Sequence, residues 1–135
     1  MKNVEALLKN KNVEFLQGST TNPSLLRKLS HDIDYVFHQA AIPSVPRSIE
    51  NPQASHEVNT TGTLNVLLAA KDNRIRKVIY ASSASVYGDT PTLPMREEML
   101  PNPQSPYAVT KLAGEYYCQV FSPSLWTSHR LLKVF

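Results

Sequence analysis

Two stretches carry residues able to do chemistry on an alcohol: Tyr80 to Gly88, reading Tyr-Ala-Ser-Ser-Ala-Ser-Val-Tyr-Gly, and Ser105 to Lys111, reading Ser-Pro-Tyr-Ala-Val-Thr-Lys. Together they supply a hydroxyl donor, a phenol and a cation. A phenol with a reference pKa of about 10 is a poor base at neutral pH, but a neighbouring ammonium favours the phenolate, as an opposite charge does for any acid. Tyr107 and Lys111 stand four residues apart, which on a helix puts them on one face. Ser105 and Pro106 mark the start of that helix: a capping hydroxyl, then a residue that needs no amide hydrogen. An isolated Tyr-x3-Lys arises in helices by chance. The serine-rich segment upstream gives it weight, and the set suits removal of a proton from an alcohol, as dehydrogenation requires.

The elements that must position these groups alternate. Val13 to Leu16 is a short apolar strand ending near Gly18, and Pro23 to Leu29 a helix capped by Asn22. Tyr35 to His38 reads as a buried strand, residues 42–48 as a proline-punctuated loop, and Pro52 to Lys71 as a long helix with Val58, Leu64, Leu67 and Leu68 near one face. Lys77 to Ala81 is the next strand. Pro91 to Pro103 holds four of the chain's ten prolines and is expected to be loop, and Ser105 to Phe121 is the second long helix. Strands alternating with helices imply a parallel sheet covered on both faces, an α/β doubly wound fold. Chemistry in such folds sits beyond the carboxyl ends of the strands, where His38 to Ala41 and Ser82-Ser83 fall.

Composition narrows the function classes. The 135 residues, 41% hydrophobic and 19% charged, suit one soluble domain. A formal charge of +3, scattered and with no basic run interleaved with aromatics, gives no reason to expect nucleic acid. No signal-peptide core or membrane-spanning run is present in the sequence, so a cytoplasmic protein without a membrane partner is expected. Cys118, the single cysteine, excludes an internal disulfide and reads as a buried small hydrophobe. His31, His38, His56 and His129 lack metal-ligand spacing, and no metal is expected.

With His38-Gln39-Ala40-Ala41 at a strand end, Asn59-Thr60-Thr61-Gly62-Thr63-Leu64-Asn65 in the following helix, and Leu93-Pro94 before the second long helix, residues 13–121 resemble the extended short-chain dehydrogenase/reductase family. Within it they are most similar to the nucleotide-sugar 4-epimerases acting on UDP-hexoses. The resemblance implies a Rossmann-like domain, NAD as cofactor, a UDP-sugar as substrate and homodimeric full-length relatives. It implies Tyr107 as base, Lys111 as its activator and holder of the nicotinamide ribose, and Ser83 as hydrogen-bond partner of the sugar O4. Ser83 is selected over Ser82 because the family's serine lies four residues before the tyrosine of Val-Tyr-Gly. Ala81 and Ser82 are further implied cofactor contacts, as are Ser19 and Thr20 at the adenine end. Gln39, Ala40 and Ala41 either let backbone approach the dinucleotide or satisfy tight strand-to-loop packing. Asn59 either supports the cofactor site or is a helix polar residue facing water. Ser44 and Arg47 are implied substrate contacts, with a surface cation the other reading of Arg47. Dehydratases of the family place an acidic pair directly after the serine or threonine; Ala84 and Ser85 stand there instead, which favours epimerisation over 4,6-dehydration.

The departures are as informative. The four glycines, Gly18, Gly62, Gly88 and Gly114, form no G-x-x-G-x-x-G turn, and the acidic residue that would hold the adenine ribose is missing. The expectation is a partial doubly wound sheet lacking its first two strands and the C-terminal substrate domain. Residues 1–122 would be a partial NAD-binding domain carrying the catalytic groups, and residues 123–135 a divergent tail of the kind a shifted reading frame produces. In the strand order 3-2-1-4-5-6, Val13 to Leu16 would be third and Tyr35 to His38 fourth, with the strands between them lacking. The isolated chain is therefore expected to fold poorly or aggregate and to bind NAD negligibly. The competing reading is a non-catalytic truncated or decayed gene product, or a fragment acting only with another chain.

Overall fold

The computed structural model describes residues 4–125. Its centre is a two-stranded parallel sheet, β1 (Tyr35–His38) beside β2 (Lys77–Tyr80), in a register that sets Tyr35 against Lys77 and His38 against Tyr80. Parallel neighbours need a long crossover. Here it is helical: after α1 (Glu5–Leu8) and α2 (Pro23–Leu29) ahead of the sheet, the crossover holds α3 (Val45–Glu50), α4 (Pro52–His56), a π-helical turn (Glu57–Thr61) and α5 (Gly62–Asp72). Beyond β2 come a single 3-10 turn (Ala84–Tyr87) and α6 (Pro106–Leu125). The architecture is a partial Rossmann-like α/β fold.

Local chemistry explains the boundaries. The Asn22 side chain accepts the Leu25 amide at 3.0 Å and Pro23 opens α2, as the sequence leads one to expect. Val66, Leu67 and Ala70 of α5 pack with Ile75, Val78, Tyr80 and Cys118 into one core, flanked by Leu26, Val36, Tyr117 and Phe121. At Gly114 of α6 a Cβ would lie 2.3 Å from the Tyr80 hydroxyl, so the absence of a side chain there lets α6 sit directly on β2.

Several expected elements change. Val13 to Leu16 joins no sheet; Val13, Phe15 and Leu16 are exposed, because an apolar run becomes a strand only beside a neighbour that takes up its amides and carbonyls. The loop expected at 42–48 is half helix: Ser44 accepts the Arg47 amide at 3.3 Å, and Pro46 falls in the first turn of α3, where a missing amide costs nothing. The single helix expected from Pro52 to Lys71 is interrupted by the π-helical turn, within which Asn59 and Thr60 are buried. Residues 126–135, most of the expected divergent tail, lie outside the described residues, and α6 itself continues past Phe121 to Leu125.

Candidate active site

The first turn of α6 is held from three directions. The Ser105 hydroxyl accepts the Ala108 amide at 3.1 Å, and its carbonyl accepts the Val109 amide at 3.0 Å. The Tyr107 amide, which a helix start leaves without an intrahelical partner, donates to the Ser48 hydroxyl of α3 at 3.0 Å. The Thr110 hydroxyl donates to the Tyr107 carbonyl at 2.7 Å.

One turn on, Lys111 is buried, and its Nζ donates to the Ala81 carbonyl just beyond β2 at 2.8 Å. The ammonium lies 5.0 Å from the centroid of the Tyr80 ring and 6.0 Å from that of Tyr107, so two aromatic faces replace part of the water it has lost. Burial lowers the Lys111 pKa from its ordinary value and raises that of Tyr80. His38, ending β1, is pushed down to about 4, first by burial and then by the Lys111 charge. Its Nε2 lies 2.9 Å from the Thr63 hydroxyl, which itself donates to the Asn59 carbonyl at 2.6 Å. With that hydroxyl proton committed, Nε2 must be the donor, and His38 is the neutral Nε2-protonated tautomer.

The two serines after β2 face different partners. Ser82 donates to the buried Glu115 carboxylate on α6. Ser83 instead accepts the Ser85 amide at 3.2 Å and shares a 2.8 Å hydroxyl bond with Ser85, opening the 3-10 turn. That turn ends at Gly88, whose φ of 58° and whose approach to the Asn102 carbonyl, 2.1 Å from a built Cβ, both require glycine. The Asn102 amide meets the Val86 carbonyl at 2.9 Å, which returns the chain to the start of α6.

Gln39 and Ala40 are exposed and Ala41 half-buried immediately beyond β1. Asn59, 1% exposed, does not face water. Its Oδ1 accepts the Ile42 amide at 2.7 Å, and its Nδ2 donates to the Ile42 carbonyl at 3.3 Å and the Thr110 hydroxyl at 3.1 Å, tying the loop after β1 to α6. Ser19 bonds locally to Thr21, while the Thr20 carbonyl accepts from Asn65 of α5 at 3.1 Å. Ser44 caps α3, and Arg47 is exposed on it.

The structure thus brings Tyr107, Lys111, Ala81 and the Ser82-Ser83 step to one end of β2, with Gln39 to Ala41 beyond the neighbouring strand. It gives Ser44 a local role, and ties Ser19 and Thr20 to the segment before α2 and to α5. Sequence reading passed over Ser48, Thr63, Thr110 and Glu115. Glu115 follows Lys111 by four residues and so shares its face, a signal that was there to be read; Ser48 offers none, its partner being 59 residues away. Among the described residues no group of His, Cys, Asp or Glu is placed to hold a metal ion, and no helix is long and apolar enough to cross a membrane. Cys118 is buried in the core, its thiol pushed up to about 12 by burial and then by Glu115.

Comparison with known proteins places the chain among nucleotide-sugar epimerases by sequence and fold. A UDP-glucose 4-epimerase of Mycolicibacterium smegmatis is 39% identical over 110 residues, covering 80% of this chain and 35% of that protein. The UDP-glucuronic acid 4-epimerase of Bacillus cereus, solved with UDP-glucuronic acid and NAD, superposes with a TM-score of 0.85 at 38% identity, over 92% of this chain and 39% of that one. The UDP-N-acetylglucosamine 4-epimerase of Methanobrevibacter ruminantium M1, solved with UDP-N-acetylmuramic acid, gives a TM-score of 0.81 at 37% identity, over 85% and 37%. The chain therefore spans well under half the length of these relatives. Since the model of the NAD dependent epimerase/dehydratase family matches residues 2–132, nearly the whole chain, the protein belongs to that family.

Proposed function

We propose that this chain carries the catalytic middle of an NAD-dependent UDP-hexose 4-epimerase that works by transient oxidation at C4. The observation that supports this best is the alignment of Tyr107 and Lys111 on the opening turns of α6, with the Lys111 ammonium anchored on the Ala81 carbonyl and Ser83 two residues further along the same strand end. Tyr107 takes the O4 proton and later returns it. Lys111 favours the phenolate form of Tyr107 that accepts this proton, its charge undiluted by water because it is buried. Ser83 hydrogen-bonds O4 and holds the sugar in register. A bound NAD would supply reversible hydride acceptance at C4, with Lys111 and Tyr107 holding its nicotinamide end beside the sugar.

The residues present fit one end of that cofactor. Lys111 and Tyr107, with the strand-end backbone at Ala81 and Ser82 and the exposed Gln39 and Ala40, would take the nicotinamide ribose. The other end fits poorly: the 135 residues hold no glycine-rich turn for the pyrophosphate, and Ser19 and Thr20 offer only hydroxyls toward adenine. We therefore assign activity to the chain completed by such a turn and a substrate domain, and expect these residues alone to be inactive. A carboxylic acid at Ala84 or Ser85 would allow general acid elimination of water; its absence favours epimerisation over 4,6-dehydration.

The test uses the chain completed to the length of its relatives. Tyr107→Phe keeps the ring and removes the proton acceptor, so turnover of UDP-glucose, UDP-galactose or their N-acetyl forms should fall by about 10²–10⁴ with substrate binding largely kept. Ser83→Ala should be milder. Parental turnover in the Phe variant would refute the mechanism, and a 4-keto-6-deoxy product would assign a dehydratase instead.

A further inference from the structure

The Ser48 side chain is 0% exposed and makes two hydrogen bonds of different kinds. Its hydroxyl donates to the Val45 carbonyl at 2.7 Å, the back-bond that a helical serine commonly makes. Its oxygen also accepts the Tyr107 amide at 3.0 Å. The neighbouring amides of Ala108 and Val109 are both satisfied by Ser105, so of these three only the Tyr107 amide is met from another element. The Tyr107 carbonyl is bound through Thr110 to Asn59 and thence to Ile42. Lys111 is anchored elsewhere, on Ala81 at the end of β2. The Tyr107 backbone and the Lys111 ammonium are therefore anchored by different parts of the fold: the Tyr107 amide on α3, the ammonium at the end of β2.

We infer that Ser48 is a positioning residue that fixes the Tyr107 backbone on α3, and so couples the segment bearing Ser44 and Arg47 to the catalytic helix. The inference rests on the role given to Tyr107 above. Arg47 precedes Ser48 directly, and Ser44 caps the same six-residue helix. The Ser48 hydroxyl is the hydrogen bond by which α3 holds the amide of the base. Small displacements matter here, since a misplacement of about 1 Å in a reacting group can cost on the order of a hundredfold in rate.

Residue-resolved amide exchange on the completed protein reads the coupling without reference to activity. The Tyr107 amide should be protected in the parent. In Ser48→Ala and in the near-isosteric Ser48→Cys, whose sulfur is a weak acceptor, its exchange should rise about tenfold or more while the Ala108 amide stays slow. Ser105→Ala should reverse the pattern. A Tyr107 amide that is unprotected in the parent, or whose exchange in both Ser48 variants rises no more than that of Ala108, overturns the proposal: the first removes the bond, the second leaves Ser48 a merely structural serine. In the completed protein the Ser48 variants should lower kcat about tenfold or more with KM within about twofold; unchanged kcat overturns the catalytic half of the inference. Coupled exchange in a protein that does not epimerise would count against the proposed function and leave the Ser48 contact standing.

Discussion

A buried lysine is costly unless its charge is met, and Lys111 meets it with a carbonyl and two rings rather than a carboxylate. That choice has a chemical consequence. A directly paired carboxylate would neutralise the ammonium and weaken its effect on Tyr107, whereas the Ala81 carbonyl holds it in place without neutralising it. The Tyr80 ring is part of the arrangement, and Gly114 is what lets it sit against α6. Gly114→Ala should lower stability by about 1–3 kcal/mol, because a Cβ would fall 2.3 Å from the Tyr80 hydroxyl in a packed region with little room to yield. Denaturant unfolding would measure this, and an unchanged midpoint would mean that α6 can move off the ring. At this scale the shared face of Tyr107 and Lys111 was legible from their four-residue spacing, whereas Ser83 was singled out by the family resemblance. Ser48 and Thr63 were not legible, since a serine or threonine hydroxyl takes its role from whatever the fold brings opposite it.

The elements do most of the positioning through the crossover between β1 and β2, the part that sequence patterning described least well. Prolines at positions 43 and 46 read as loop, yet Pro46 sits where a helix tolerates it, and the apolar periodicity of 52–71 conceals a π-helical turn that carries Asn59 and Thr60 inward. β1, β2 and α6 were legible because continuous apolar runs and a Ser-Pro start are local signals, but β1, expected to be buried, leaves Tyr35 and Phe37 exposed. One consequence of how β1 ends against α5 is a pH dependence of stability. His38 titrates near 4 in the fold against 6.5 for an ordinary histidine, so between these values the unfolded chain binds more protons than the folded one. Stability is fully present above about pH 6.5 and is lost as pH falls toward 4, by about 3 kcal/mol from this group. Thermal melts from pH 7.5 to 4.5 should show a steeper decline for the parent than for His38→Gln, which has no proton to take up. Parallel curves would place the acid sensitivity in the carboxylates alone.

At the scale of the whole molecule, the sheet is open. β1 pairs with β2 on one side only, Phe37 is 68% exposed at its centre, and Tyr35 beside it is exposed as well. The segment at Val13, Phe15 and Leu16 adds further exposed apolar surface, and so does the face of α6 at Val109, Tyr116 and Val120. Absence of the glycine turn was legible from four glycines in the wrong places, and the expected loss of the strands between Val13 to Leu16 and β1 already left that segment without the neighbour it needs to become a strand. An unpaired strand edge with large apolar side chains is a template for association. The chain alone should therefore self-associate as its concentration rises, and sedimentation velocity should show the main species growing in mass. Replacing Tyr35 and Phe37 together by Lys should suppress that growth, since charges along an open edge oppose pairing, while the core at Leu67, Ile75 and Val78 is untouched. Calorimetry on the same double variant should still show negligible NAD binding, because opening the edge to solvent supplies none of the backbone amides that cradle a pyrophosphate. A parent chain that stays monomeric at all concentrations, or one that binds NAD saturably in the micromolar range, would show that these 135 residues need neither the missing strands nor the turn.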